Sequence, residues 1–390
     1  MALKGVYPKP IQEMLDRTNK RIDTMIGWGK APTRMVANEE SVRNMAKAVD
    51  PWNPLWRDAD YAASTRWGTI ITFPMYQEAF GNRGIHRMDD TPECGFQNMI
   101  YIGDDWIFAR PVKVDDAIRV WYRRPQIMDV TDPDGKGPHT FMVMESDRDF
   151  INQNTELISS EKLYVQRWFL PEGAPEPYSM PEYGYTREEI IFIDKMVRAE
   201  EIRGTNIRYW EDVNVGDDTP PVVQGPTSMA DNAIVNSVSP SVGSLIKPRE
   251  AFITSMGDEL GGEFLKDTKT NLYYVRGGPA GRHWSDRAAQ AEGEPCAFQF
   301  AVISRYAMTR LITNWMGDDG FMRKFSWRHV TRTRIGDCSI GHGKVIKKYT
   351  ENGEYLVDLI VWLENMRGNI SEISSATISL FSRKNPPVWK

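Results

Sequence analysis

Five histidines and three cysteines carry much of the chemistry open to this 390-residue chain. Cys94, Cys296 and Cys338 lie far apart. So sparse and odd a set is no disulfide framework, and no CxxC or Cys/His spacing marks a zinc site. His86, His139, His329 and His342 stand on loop or strand sequence without a motif and read as structural or exposed. His283 differs. It opens HWSDRAAQAEG (283–293) with Asp286 close behind, and an imidazole beside a carboxylate can move protons as a general acid or base. The plainer alternative is a loop histidine bonded to backbone. The cations Arg323, Lys324, Arg328, Arg332 and Arg334 could meet a phosphorylated ligand, or simply blunt an exposed strand edge.

A repeated scaffold positions these side chains. GDDWIF (Gly103–Phe108) resembles GDDGFMRKF (Gly317–Phe325), about 214 residues later. Strand-like runs follow, ARPVKVDDAIRVWYR from Ala109 and RHVTRTRIGDCSIGHGKVI from Arg328. Next come turns suited to hairpins, DPDGKG (Asp132–Gly137) and ENG (Glu351–Gly353). Long alternating segments start at His139 and Glu354, and their period of two predicts antiparallel strands with one face on a core. Before the second block, apolar residues spaced by three and four predict a helix over Ala301–Trp315, stopped at Gly317. The matching region Ile70–Phe80 is shorter and holds Pro74; GNRGIHRMDDTPECG after it reads as an inserted loop. Proline-rich LPEGAPEPYSMPEYG (Leu170–Gly184) and a charged helical stretch, Tyr185–Gly204, separate the halves. The pattern predicts an α+β fold in which an antiparallel sheet wraps a central helix, twice over.

Three segments resemble the MaoC-like family of (R)-specific enoyl-thioester hydratases and dehydratases, in its long fused form. DPWNPLWRDADYAASTRWG (Asp50–Gly68) resembles the motif in which Gly-Asp-x-Asn-Pro-Leu-His precedes Asp and a short helix. RGTNIRYWEDVNVGDDTPPVVQGP (Arg203–Pro226) resembles the opening of the second domain of fused members, and HWSDRAAQAEG resembles the histidine-bearing counterpart. The similarity spans roughly residues 35 to 385 and implies two tandem hot-dog domains. On that division, residues 1–180 form the first domain, 181–205 the linker and 206–390 the second.

The family's reaction needs a group to handle water at the β-carbon, a proton moved at the α-carbon, and donors for the thioester oxygen. In the first half Asn53, Pro54 and Leu55 match the motif, but Trp56 stands at the histidine position and Pro51 at the aspartate position, with Asp50 one residue early. This half therefore reads as silent and as shaping an acyl cavity, with Asn53 and Asp58 holding its loop. In the second half His283 matches, while Gly278 replaces the aspartate and Ser285 the later acid, leaving Asp286 displaced by one. The resemblance implies His283 and Asp286 as the proton-handling pair, with Asp258, Glu259 or Asp267 as other partners for the histidine, and backbone at Phe300 and Ala301 as oxyanion donor. Substrate contacts are then expected at Asn53, Trp56, Trp67, Phe73 and Tyr76 around the silent half's cavity, and at Arg328 from the cation cluster.

With 13 Trp, 15 Tyr, 15 Phe and 19 Met, the chain could fill bulky cores and a subunit interface, or line a pocket for a large, flat acyl group. A net charge of -5 opposes nucleic-acid binding. No apolar run reaches the length of a membrane span and the first residues lack a signal-peptide core, which predicts a cytoplasmic protein. The expected partner is an acyl-CoA or acyl-carrier thioester, with no cofactor and no metal; a homodimer is compatible with the sequence. Two rivals to the hydro-lyase stand beside it: an inactive acyl-thioester-binding subunit, and a hot-dog enzyme of altered lyase or thioesterase chemistry.

Overall fold

The structure, a computed structural model, describes residues 7–20, 23–26, 36–80, 96–132, 138–170, 180–238, 264–266, 271, 273–275, 281–291 and 294–384. The first half holds helices α1 (Lys9–Asn19), α2 (Glu39–Val49) and α3 (Ala59–Ser64). Its strands are β1 (Thr24–Ile26), β2 (Phe96–Phe108), β3 (Arg119–Arg123), β4 (Gln126–Asp129), β5 (His139–Ile151) and β6 (Leu157–Leu170). Helix α4 (Arg187–Arg198), started by a Thr186–Glu189 capping box, leads into the second half. There β7 (Val222–Gln224), α5 (Met229–Val238), the pair β8 (Phe264–Lys266) and β9 (Tyr273–Val275), α6 (Asp286–Ala291) and the central helix α7 (Ala301–Met316) follow in turn. Strands β10 (Phe321–His329), β11 (Ser339–Glu351), β12 (Glu354–Asn365) and β13 (Ile370–Leu380) complete the described chain.

The main sheet runs β1-β3-β5-β6-β2-β10-β13-β12-β11-β7, with β4 also paired to β5. Every pairing in it is antiparallel. Outward from the central β2·β10 seam the two sides repeat one order, so an internal twofold relates the halves. The α+β expectation holds, and so does the tight hairpin at Glu351–Gly353, where Asn352 and Gly353 take φ of 50° and 81°. Most of the turn at Asp132–Gly137 and the whole 81–95 segment lie outside the described residues.

Backbone pairing sets the correspondence between halves. Thr72 N–H donates to Val112 O as Gln299 N–H donates to Thr333 O. Phe108 pairs with Ser159 where His329 pairs with Glu372. Counting along each strand and loop, Phe73 corresponds to Phe300, Pro74 to Ala301, Glu78 to Arg305 and Trp106 to Trp327. The two Gly-Asp-Asp triplets do not correspond: Gly103 lies inside β2, whereas Gly317 ends α7 with φ of 71°.

The central helix forms only once. Thirteen residues of α7 are buried, among them Ser304, Arg305, Thr309 and Asn314, so it is enclosed on all sides rather than amphipathic. In the first half Met75 sits at φ 76°, outside helical backbone, and only a 3₁₀ turn, Tyr76–Phe80, forms; Pro74 stands at a first-turn position where proline is tolerated. Helix α1 was not foreseen in the sequence. It packs Ile11, Met14 and Leu15 on Ile127, Phe141, Val143 and Phe169, each such side chain contributing roughly 1.5–3 kcal/mol.

Candidate active site

Each half carries a 3₁₀ turn before a short helix: Pro54–Trp56 before α3, and Gly281–His283 before α6. Trp56 and His283 stand equally far ahead of Phe73 and Phe300, and each ring packs on that phenylalanine. In the first turn Asn53 Oδ1 accepts from Leu55 N–H (3.1 Å) and Asp58 Oδ1 from Tyr61 N–H (3.0 Å), so both side chains brace the loop. Trp56 Nε1 donates to Asp50 Oδ2 at 2.8 Å.

Burial pushes the Asp50 carboxyl up from 3.8 to about 6. The folded chain therefore holds this proton more tightly than the unfolded one, and charging the group costs stability as pH rises between those values. An asparagine side chain in its place would keep an acceptor for Trp56 without the charge. Asp50→Asn should stabilise the protein by about 2 kcal/mol at pH 7, with the gain vanishing below pH 4. Urea midpoints at the two pH values measure it, and an equal change at both would refute the charge argument.

In the second turn His283 Nδ1–H donates to Phe298 O at 2.9 Å, leaving Nε2 as the acceptor. The ring stacks on Phe300 at 4.1 Å between centroids, and burial, only partly offset by the Phe298 bond, pushes its pKa down to about 3. Asp286 turns elsewhere. Its Oδ1 accepts from Ala297 N–H (2.7 Å) and its Oδ2 from Arg334 (2.9 Å), so the carboxylate tethers α6 to the following loop. Phe300 N–H is also engaged, donating to Asn232 Oδ1 at 2.9 Å. Helix geometry leaves the N–H groups of Ala301 and Val302 without an intrahelical acceptor. Gly278, Asp258, Glu259 and Asp267 lie outside the described residues.

Two buried polar groups flank the start of α7 that the sequence reading did not single out. Arg305 forms a bidentate pair with Glu78 (2.7 and 2.5 Å) and also donates to Asp104 (2.5 Å) and Tyr101 (3.0 Å). Arg148 pairs with Glu161 close by. Carboxylate oxygens of Glu78, Asp104 and Glu161 lie within 4.8 Å of one another, and the Arg305 and Arg148 guanidiniums pair with them. Burial pushes the Glu161 carboxyl up against the pull of Arg148. The other group is His329, whose Nδ1 lies 2.7 Å from Glu372 Oε1.

The expected substrate contacts scatter. Trp56 and Trp67 line a small apolar pocket of about 40 Å³ with Ile71, Pro74, Phe108 and Phe321. Trp67 Nε1 donates to Asp318 O at 2.8 Å on its rim. Phe73 is a core side chain between Trp56 and Tyr306, and Tyr76 is buried with its hydroxyl 2.5 Å from Ser41 Oγ. Arg328 faces the other way from Trp327, where it bonds Asp105 and the Asp104 carbonyl and covers Tyr164. An ion pair with Asp105 at 2.9 Å holds that arginine on the outward face of the sheet. The pocket adjoins Met316 and Gly317, a helix length or roughly 24 Å from Phe300.

Residues 24–160 match the model of a FAS1-like dehydratase domain region. This is the half that carries Trp56 rather than His283. No curated protein matches the chain. Among solved structures, one described as a MaoC-like dehydratase is 15% identical with a TM-score of 0.62, covering 93% of this chain and 99% of that one. A MaoC domain protein from Chloroflexus aurantiacus is 12% identical with a TM-score of 0.52, covering 93% and 96%. No helix among the described residues is long and apolar enough to cross a membrane. The chain is a double hot-dog protein with the fold of the MaoC-like dehydratases, and residues 24–160 of its first half are similar to the FAS1-like dehydratase region.

Proposed function

We propose that the protein is a hydro-lyase that hydrates an enoyl thioester or dehydrates a 3-hydroxyacyl thioester, with acyl-CoA as the carrier form and the second half, 206–390, as the catalytic one. The observation that supports this is the asymmetry of the twofold-related positions. The second half has His283, an imidazole whose Nε2 can accept a hydrogen bond from water, and Ala301, whose N–H has no intrahelical acceptor and can hold the thioester oxygen. The first half has Trp56 and Pro74 there, one without a titratable group and the other without an N–H. A site stripped of its chemistry in one copy and keeping it in the other is the mark of a fused enzyme with one working half.

The pocket at Trp56 and Trp67 then serves the acyl group. A thioester at Ala301 and a tail in that pocket are a helix length apart, so the substrate is long or bears a bulky ring. One observation favours the rival reading, an inactive acyl-thioester-binding subunit: among the described residues no carboxylate meets His283, and Asp286 is tied to Ala297 and Arg334.

A panel of enoyl-CoA thioesters, short to long and aromatic, separates the two by loss of enoyl-thioester absorbance. We expect turnover on the longer members, falling at least ~100-fold in His283→Ala. Acyl-CoA binding without turnover on any member would transfer the assignment to the binding subunit.

A further inference from the structure

Water cannot add across a double bond unless the proton it sheds has somewhere to rest. His283 is a poor place, packed between Phe298 and Phe300 with no carboxylate among the described residues to steady an imidazolium. A second imidazole has what it lacks. His329 on β10 stands directly opposite Glu372 on β13, with their side chains 7% and 1% exposed. Both belong to the sheet face that carries Trp327 and packs on α7, and Glu372 lies beside Ser304, one turn into that helix. The carboxylate fixes the ring through Nδ1. His329 Nε2 has no hydrogen-bond partner among the described residues, although it is buried.

The internal twofold adds an independent line. His283 and His329 correspond to Trp56 and Phe108, and those two line one pocket together with Pro74, the counterpart of Ala301. By that correspondence the same positions in the second half bring both imidazoles and the Ala301 N–H around one space. Glu372 corresponds to Ser159, so the first half lacks the dyad entirely.

Resting on the hydro-lyase reading, we propose that His329, oriented by Glu372, is the base of the reaction. Nε2 takes one proton from water as the oxygen bonds to the β-carbon, and the C=C pair moves onto the α-carbon and thioester oxygen. The imidazolium then returns that proton to the α-carbon, so the ring ends neutral and nothing else is consumed. His283 holds the water through its own Nε2.

The test uses the full chain and the best enoyl-CoA of the panel. His329→Gln should lower kcat at least ~100-fold with KM changed only a few-fold. Glu372→Gln, a change at a positioning residue, should release His329 from its fixed Nδ1–H tautomer in ¹⁵N imidazole spectra. Wild-type turnover with kcat unchanged in His329→Gln overturns the proposal and leaves the hydro-lyase standing; absence of turnover in the wild type removes both. Should His329→Gln fail to fold, addition of dodecanoyl-CoA to wild type must shift the His329 Nε2 resonance, and an unmoved resonance overturns the assignment.

Discussion

Arg305→Met will cost the protein about 3–5 kcal/mol of folding stability, read as a fall in the urea midpoint. The side chain is fully buried on α7 and is the cation that Glu78 and Asp104 share. Methionine fills similar volume, so the loss comes from two carboxylates left in a dry interior without their partner. The pair also has a topological meaning. Glu78 and Arg305 correspond across the twofold, so their contact ties the truncated helix of one half to the full helix of the other. Replacing all three, Arg305→Met with Glu78→Gln and Asp104→Asn, should recover much of the loss, because the charges and not the packing are at fault. A loss below about 1 kcal/mol in the single variant would show that water reaches the cluster.

The scaffold was legible because its signals are local. Alternation in His139–Val165 and Glu354–Phe381 gives the long strands, and the three-and-four spacing with Gly317 gives the central helix almost to the residue. The anchor of the repeat was less sound. The Gly-Asp-Asp triplets match as letters, but one is strand and one is helix stop, since short polar triplets fit both turns and bulged strands. The site was legible on one side only. The loop around His283 has a sequence signature, whereas His329 and Glu372 are cross-strand neighbours brought together by β10·β13 pairing. Strand phase held a clue nonetheless. Trp327 and His329 share parity, as do Ala376, Ser374 and Glu372, and as do Phe108, Trp106 and Asp104. A charged residue on the inward phase of a strand must be paired when buried, and that alone marks it for attention. Arg328 has the outward parity, which opposes a role inside the sheet.

Gly103→Ala should be more damaging still, and it tests the seam on which the twofold rests. Gly103 sits at φ 147°, where β2 bulges against β6 and faces Arg328 across β10. An added Cβ would lie 2.0 Å from the Trp327 carbonyl oxygen, and that atom belongs to the backbone, so no rotamer change relieves the clash. Either β10 withdraws, breaking the β2·β10 ladder and exposing Trp106 and Phe325, or β2 rotates and carries Asp104 away from Arg305. Both routes cost more than the roughly 1–3 kcal/mol usual for overpacking, enough to leave little folded protein at a marginal overall stability. Gly68→Ala is the matched control: its φ of 67° is also positive, but no atom lies within 4 Å of the new Cβ. It should cost only about 1 kcal/mol. Soluble yield and thermal midpoint of the two variants decide the matter. If they behave alike, the strain of a positive φ explains both and the close approach at the seam does not hold the halves together; if only Gly103→Ala collapses, the joined sheet is what makes the two halves one molecule.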